Sequence, residues 1–154
     1  MPRRQFAGID DVKAHAGQEV AVSDWLEIRQ ERIDLFAEAT NDHQWIHVDP
    51  VRAAAESPFG TTIAHGYLTL SLLSQFGYAT IGIDQQFRMQ INYGVNKVRF
   101  MNPVKCGSRI RARYLLLDVT DVEGGWQVRF QVTMEMEGVE KPACVAETLT
   151  RYYE

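Results

Sequence analysis

His65-Gly66-Tyr67-Leu68-Thr69-Leu70-Ser71-Leu72-Leu73-Ser74-Gln75-Phe76-Gly77-Tyr78 carries no charged side chain other than a protonated form of His65. Its large residues, Tyr67, Leu68, Leu70, Leu72, Leu73 and Phe76, go nearly all the way round a helical wheel. A helix that is apolar all round is buried all round. At about 14 residues it suits a core helix and is short for a membrane span.

Outward from this helix, the chain reads as strands on the C-terminal side. Ile91 to Phe100 is one, broken by Met101-Asn102-Pro103. Arg109 to Val119 is a second, with Ile110, Ala112 and Tyr114 opposite Arg109, Arg111 and Arg113. Gln127 to Glu137 alternates cleanly, with Val128, Phe130, Val132, Met134 and Met136 on one face. Ala143 to Tyr153 is the last, and Val122-Glu123-Gly124-Gly125 is a hairpin turn. Strands with one apolar and one polar face build an antiparallel sheet that is wet on one side. On the N-terminal side, Glu19 to Val22 and Trp25 to Ile28 read as short strands. Glu31 to Thr40 has helical spacing and stops at Asn41-Asp42. Asp49 is a helix N-cap, with Pro50 in the first position of a short helix that runs to Glu56. The expected class is α+β, with one sheet curled around a central helix and a second copy covering what that sheet leaves bare.

The composition agrees. The 154 residues are 45% hydrophobic, 23% charged and 10% aromatic, which fits one globular domain over residues 1–154. A separate cofactor domain has no room. The basic start, Arg3-Arg4, is followed by no apolar stretch, so a signal peptide is not expected. Cys106 and Cys144 form no CxxC pattern and read as reduced thiols in a cytoplasmic protein. A net charge of −4 speaks against a nucleic-acid partner. Between Arg88 and Arg113, however, seven basic residues occur with no acidic one. By charge alone these are solvated strand faces; the alternative is a site for a phosphorylated small molecule.

Reactive side chains are densest in Asn41-Asp42-His43-Gln44-Trp45-Ile46-His47. A carboxylate and an imidazole converging there, Asp42 and His47, can hold a water and move its proton. Equally, Asp42 reads as a cap and His47 as a satisfied half-buried histidine. His43 and His47 are four residues apart, but no glutamate follows the first and no third ligand is apparent, so no metal is expected. In Ile63-Ala64-His65-Gly66, Gly66 leaves an N–H at a helix start open to a ligand carbonyl. Tight packing explains the same glycine, and His65 reads as a cap or a buried hydrogen-bonding residue. The chain has no GxSxG, P-loop or GxGxxG, and Ser71 and Ser74 sit inside the apolar helix, where hydroxyls bond a carbonyl one turn back.

Taken together, Phe36 to Pro50 resembles the hydratase motif of the MaoC-like family, and Ile63 to Leu73 resembles that family's central helix. The likeness runs over roughly residues 8 to 153 and is nearest to the nodulation-protein-N-like, single-domain (R)-specific enoyl-CoA hydratases. The resemblance implies a hot-dog fold, a homodimer, and reversible addition of water to a trans-2-enoyl-CoA giving an (R)-3-hydroxyacyl-CoA. It implies no metal or redox cofactor, the acyl-CoA thioester being the substrate. By position it makes Asp42 and His47 the catalytic pair and Gly66 the backbone donor to the thioester oxygen. Ser74 and Tyr67 then line the site, and some of Lys97, Arg99, Lys105 and Arg109 meet the CoA phosphates. Chain length is set by the pocket, to which Tyr67, Phe76, Tyr78 and Phe87 contribute. Two departures stand out: Asn41 replaces the family's usual glycine, and Gln44-Trp45 replaces its Asn-Pro. The competing readings are an acyl-CoA thioesterase on the same fold, and a non-catalytic module that binds acyl thioesters.

Overall fold

A computed structural model describes residues 1–154. In chain order the elements are β1 (Arg4–Phe6), α1 (Ile9–Ala14), β2 (Glu19–Val22), β3 (Leu26–Glu27), α2 (Gln30–Thr40), α3 (Trp45–Val48) and α4 (Pro50–Glu56). Then follow α5 (Gly66–Ser71), α6 (Leu73–Thr80), β4 (Ile81–Ile83), β5 (Met89–Phe100), β6 (Arg109–Val122), β7 (Gly125–Met136) and β8 (Val139–Tyr153). The main sheet is antiparallel, with strand order β2-β6-β7-β8-β5 and β3 paired to β6. β1 and β4 form a separate parallel pair.

The alternation read from the sequence sets the inner face of the sheet. Ile110, Ala112 and Tyr114 of β6 are buried, and so are Val128, Phe130, Val132, Met134 and Met136 of β7. Tight turns fix the register. Val122 pairs with Gly125 across Glu123-Gly124, and Met136 with Val139 across Glu137-Gly138. Gly124 and Gly138 both take a φ of +76°, a conformation that costs glycine nothing. Against this face pack Leu68, Leu72 and Phe76 of the central helix, in one core that also holds Leu116, Cys144 and Ala146.

The central helix differs from its expected form in two ways. It is interrupted at Leu72, yet hydrogen bonds still run through the joint, from Leu72 N to Leu68 O at 3.1 Å and from Phe76 N to Leu72 O at 3.0 Å. It is also not buried all round in one chain, for Tyr67 is 71% exposed and Tyr78 60%. One sheet covers only one side of a helix, and the remaining apolar side faces outward. β5, at the edge of the sheet, is bare as well: Met89, Ile91, Tyr93 and Val95 are all exposed.

Periodicity does not reveal the short elements β1, α1 and β4. Phe6, Ile9 and Val12 are buried in the core, so the N-terminal segment is part of the domain. Its contacts reach across to Ile81–Ile83, a separation that local periodicity does not reveal. No helix is long and apolar enough to cross a membrane.

Candidate active site

The site grows from two chain reversals. α2 ends at Asn41, whose left-handed φ of 56° is tolerated by asparagine and turns the chain sharply. Asp42 follows, exposed, its carboxylate accepting from Gln44 N–H at 3.3 Å. The single turn α3 then carries His47 inward to 7% exposure. Asp49 caps α4 through Arg52 N–H at 3.0 Å, as the Asp-Pro pair predicts.

His47 Nδ1 lies 2.7 Å from the carbonyl oxygen of Ile63. A carbonyl only accepts, so Nδ1 carries the proton and Nε2 keeps its lone pair. Burial, opposed by this hydrogen bond, holds the imidazole below its usual pKa, and nearby His65 acts in the same direction. His47 is therefore a neutral base with a fixed tautomer. Side-chain ligand atoms of Asp42, His47 and His65 lie within 4.8 Å of one another.

The rings of His47 and His65 stack with centroids 3.9 Å apart and planes 22° from parallel. His43 takes no part in the cluster and faces Glu38 at 3.6 Å.

Gly66 heads α5 directly after His65. The N–H groups of Gly66 and Tyr67 donate to no acceptor in the chain, as expected for a first turn. A Cβ on Gly66 would sit 3.1 Å from the Phe100 ring, tight enough that the ring would have to shift. Tyr67 lies beside it but points outward, edge-on to Phe100 with centroids 6.0 Å apart. Ser71 Oγ donates to Tyr67 O at 2.7 Å, the expected bond one turn back.

A cavity of about 400 Å³ opens farther along the same helix. Leu70, Ser74, Gly77 and Tyr78 line one side, and Asn92 of β5 and Leu149 of β8 line the other. Phe87 also lines it, whereas Asp42, His47, Gly66 and Tyr67 do not. Phe76 faces the core instead.

The basic stretch is mostly neutralised. Arg109 pairs with Glu137 at 2.9 Å, Arg111 with Glu135 at 2.7 Å and Arg113 with Glu19 at 2.7 Å. Lys97 faces Glu147 at 3.8 Å. Arg99 and Lys105 pair with no carboxylate. Lys105 bridges to Ile63, the residue that holds His47.

Sequence reasoning missed the support of His47. Gln30 Nε2 donates to His47 O at 2.7 Å and to Asp34 at 2.8 Å, while its Oε1 accepts from the buried Thr62 hydroxyl. The contacts span 17 and 32 residues, and no local pattern marks a glutamine at a helix start for such a role.

The antiparallel sheet curled against one helix is a hot-dog fold, and the relatives it resembles place the chain among proteins of the dehydratase, or hydro-lyase, kind. Residues 11–138 match the family described as the MaoC like domain, and the chain belongs to that family. It is 52% identical over 150 residues to the 3-hydroxyacyl-thioester dehydratase Z of Mycobacterium tuberculosis, covering 97% of this chain and 98% of the relative. Nodulation protein N of Rhizobium leguminosarum bv. viciae is 48% identical, over 91% of this chain and 88% of its own. The fold is shared with an Archaeoglobus monoamine oxidase regulatory protein, at a TM-score of 0.78, 21% identity and 100% and 99% coverage. It is shared also with an unliganded (R)-hydratase of Pseudomonas aeruginosa, at a TM-score of 0.72, 24% identity and 90% and 82% coverage.

Proposed function

We propose that this protein is an (R)-specific enoyl-CoA hydratase, adding water reversibly to a trans-2-enoyl-CoA to give the (R)-3-hydroxyacyl-CoA. The observation that carries this reading is His47, buried and neutral, with Nδ1 tied to Ile63 and its Nε2 lone pair left free beside Asp42. A relative named as a 3-hydroxyacyl-thioester dehydratase, matched over nearly the whole chain, supports the reaction class and thioester substrate.

In this mechanism Asp42 and His47 hold the water between them. Its oxygen bonds to C3 as a proton passes to the pair. The C2–C3 π electrons move toward the thioester oxygen, and the protonated member of the pair returns a proton to C2. The Gly66 N–H, which has no other acceptor, donates to the oxygen where charge develops. Such a donor is commonly worth about 3 kcal/mol. No electrons change hands, so the reaction calls for no redox cofactor, and the proton transfers are within the reach of the two side chains.

The cavity along α6 takes the acyl tail, its size being within the range of pockets that bury drug-sized ligands, about 300–1,000 Å³. Ser74 touches that tail rather than the reacting carbons. Of the candidates Lys97, Arg99, Lys105 and Arg109, the two without a carboxylate partner, Arg99 and Lys105, meet the CoA phosphates. A second copy covers β5 and the outward side of the central helix, making the working form a homodimer. The acyl-CoA is then its only partner of low molecular weight, with no role for nucleic acid or a membrane. The protein works in the cytoplasm, where its two unpaired thiols suit reducing conditions; burial pushes Cys144 up to about 11, which keeps it inert.

The test is the fall of enoyl absorbance with crotonyl-CoA, followed by chiral analysis of the product and a parallel assay for free thiol. Formation of the (R)-3-hydroxyacyl-CoA without thiol release supports the proposal. Thiol release without hydration makes the protein a thioesterase, and binding with no turnover makes it a carrier module.

A further inference from the structure

One side chain touches both members of the Asp42–His47 pair. His65 Nε2 lies 3.0 Å from the backbone carbonyl oxygen of Asp42. Its ring stacks on that of His47 at 3.9 Å, and its other side meets Phe36 at 5.0 Å. It is 3% exposed, and its Nδ1 is buried with no hydrogen-bond partner.

The unpartnered nitrogen is informative. Because Asp42 O only accepts, Nε2 carries the proton and Nδ1 is a bare, buried acceptor. Such an atom costs about 1–3 kcal/mol. A phenylalanine ring would fill the slot between Phe36 and His47 without that cost. What it would lack is the donor to Asp42. Asp42 itself has little else to hold it: its carboxylate accepts only the long bond from Gln44 N–H, and the residue is exposed. The chain therefore spends stability at His65 on an interaction that fixes the position of Asp42.

We infer that His65 is a positioning residue, which clamps the Asp42 loop through its Nε2–H and the His47 ring through its face, so that carboxylate and imidazole share one water. It does not itself touch the substrate. The clamp also explains why the residue ahead of Gly66 belongs to the site: His65 is the N-cap position of α5, so the donor at Gly66 and the pair it serves are held by one peptide.

The inference rests on Asp42 and His47 being the catalytic pair, and the test separates the two claims. His65→Phe keeps the ring and removes the donor; His65→Gln keeps a donor and removes the ring. With crotonyl-CoA, His65→Phe is expected to lower kcat about 10- to 100-fold with KM nearly unchanged. His65→Gln is expected to recover part of that loss, although it packs less well and melts lower. A second readout needs no activity: the titration of His47 followed by NMR. The ionisable groups facing His47 are Asp42 and His65. His65→Phe frees the Asp42 carboxylate, whose charge raises the His47 midpoint, so the midpoint is expected to fall in His65→Phe and to stay nearer the parent value in His65→Gln, which keeps a donor. Wild-type kcat in His65→Phe, or an unmoved His47 midpoint, overturns the inference. So does activity that simply follows melting temperature, with His65→Gln below His65→Phe. If the midpoint moves but Asp42→Asn retains full hydratase activity, the clamp stands and the catalytic reading fails.

Discussion

At the scale of single residues, the chemistry depends on protons held in place. The Ile63 carbonyl fixes the tautomer of His47, and Gln30 and Thr62 hold its backbone. Asp42→Asn and His47→Gln are each expected to lower hydration of crotonyl-CoA by about 10²–10⁴-fold while the circular dichroism spectrum is retained. Near-normal turnover in both would remove the assigned mechanism. The acid side of the rate profile should reflect His47. Its pKa is lowered, chiefly by burial, so the imidazole stays neutral and active to below its ordinary value of about 6.5. The same shift affects stability. A histidine with a depressed folded pKa favours the folded state fully above the unfolded value, and that contribution is lost as pH falls through the folded one. Melting temperature measured across the range below about pH 6.5 is expected to fall less steeply in His47→Gln than in the parent. Asp42 and His47 stood out in the sequence as neighbours in one short stretch of unusual composition, and the fold brings their side chains within 4.8 Å of each other. His65 was legible only as a buried hydrogen-bonding residue, and its contact with both came from folding Ala64-His65-Gly66 back onto that loop.

At the scale of elements, two glycines in the central helix have different reasons. At Gly66 a Cβ would press into the Phe100 ring at 3.1 Å. Gly66→Ala is expected to destabilise the fold by about 1–3 kcal/mol, and a thermal melt should show much of this recovered in the double variant with Phe100→Ala. At Gly77 a Cβ would meet nothing closer than the Tyr114 hydroxyl at 3.6 Å, an ordinary contact. A mid-helix glycine costs about 0.5–1 kcal/mol relative to alanine, so packing does not account for it. Its place in the cavity wall does. Gly77→Leu should shift turnover toward short enoyl-CoAs, read from a chain-length profile; an unchanged profile would place the acyl tail elsewhere. The basic stretch shows what composition hides. Arg109, Arg111 and Arg113 alternate along β6, and each meets a carboxylate from elsewhere in the chain: Glu137 in the turn after β7, Glu135 on β7 and Glu19 on β2. The bland reading was right for these three, because cross-strand neighbours cannot be seen along one strand.

At the scale of the whole molecule, the helix, apolar on every side, meets a sheet that covers one side. Tyr67 and Tyr78 stay out in the open, next to an edge strand whose Met89, Ile91, Tyr93 and Val95 are exposed too. A long, apolar edge strand is a template for pairing with another chain. Tyr93→Glu is expected to turn a dimer into monomers in sedimentation velocity at micromolar concentration; a parent protein that sediments as a monomer would contradict the reading. By itself the sequence determined the inner face of the sheet, the hairpin turns, the helix α2 and the apolar character of the central helix, since each follows from spacing within a few residues. The tertiary structure alone decided that His65 bridges Asp42 and His47, that Gln30 supports His47, and which arginines are paired. It decided too that β1 belongs beside β4. These depend on contacts between residues far apart in the chain, and periodicity carries no information about what a side chain meets after the chain has returned on itself.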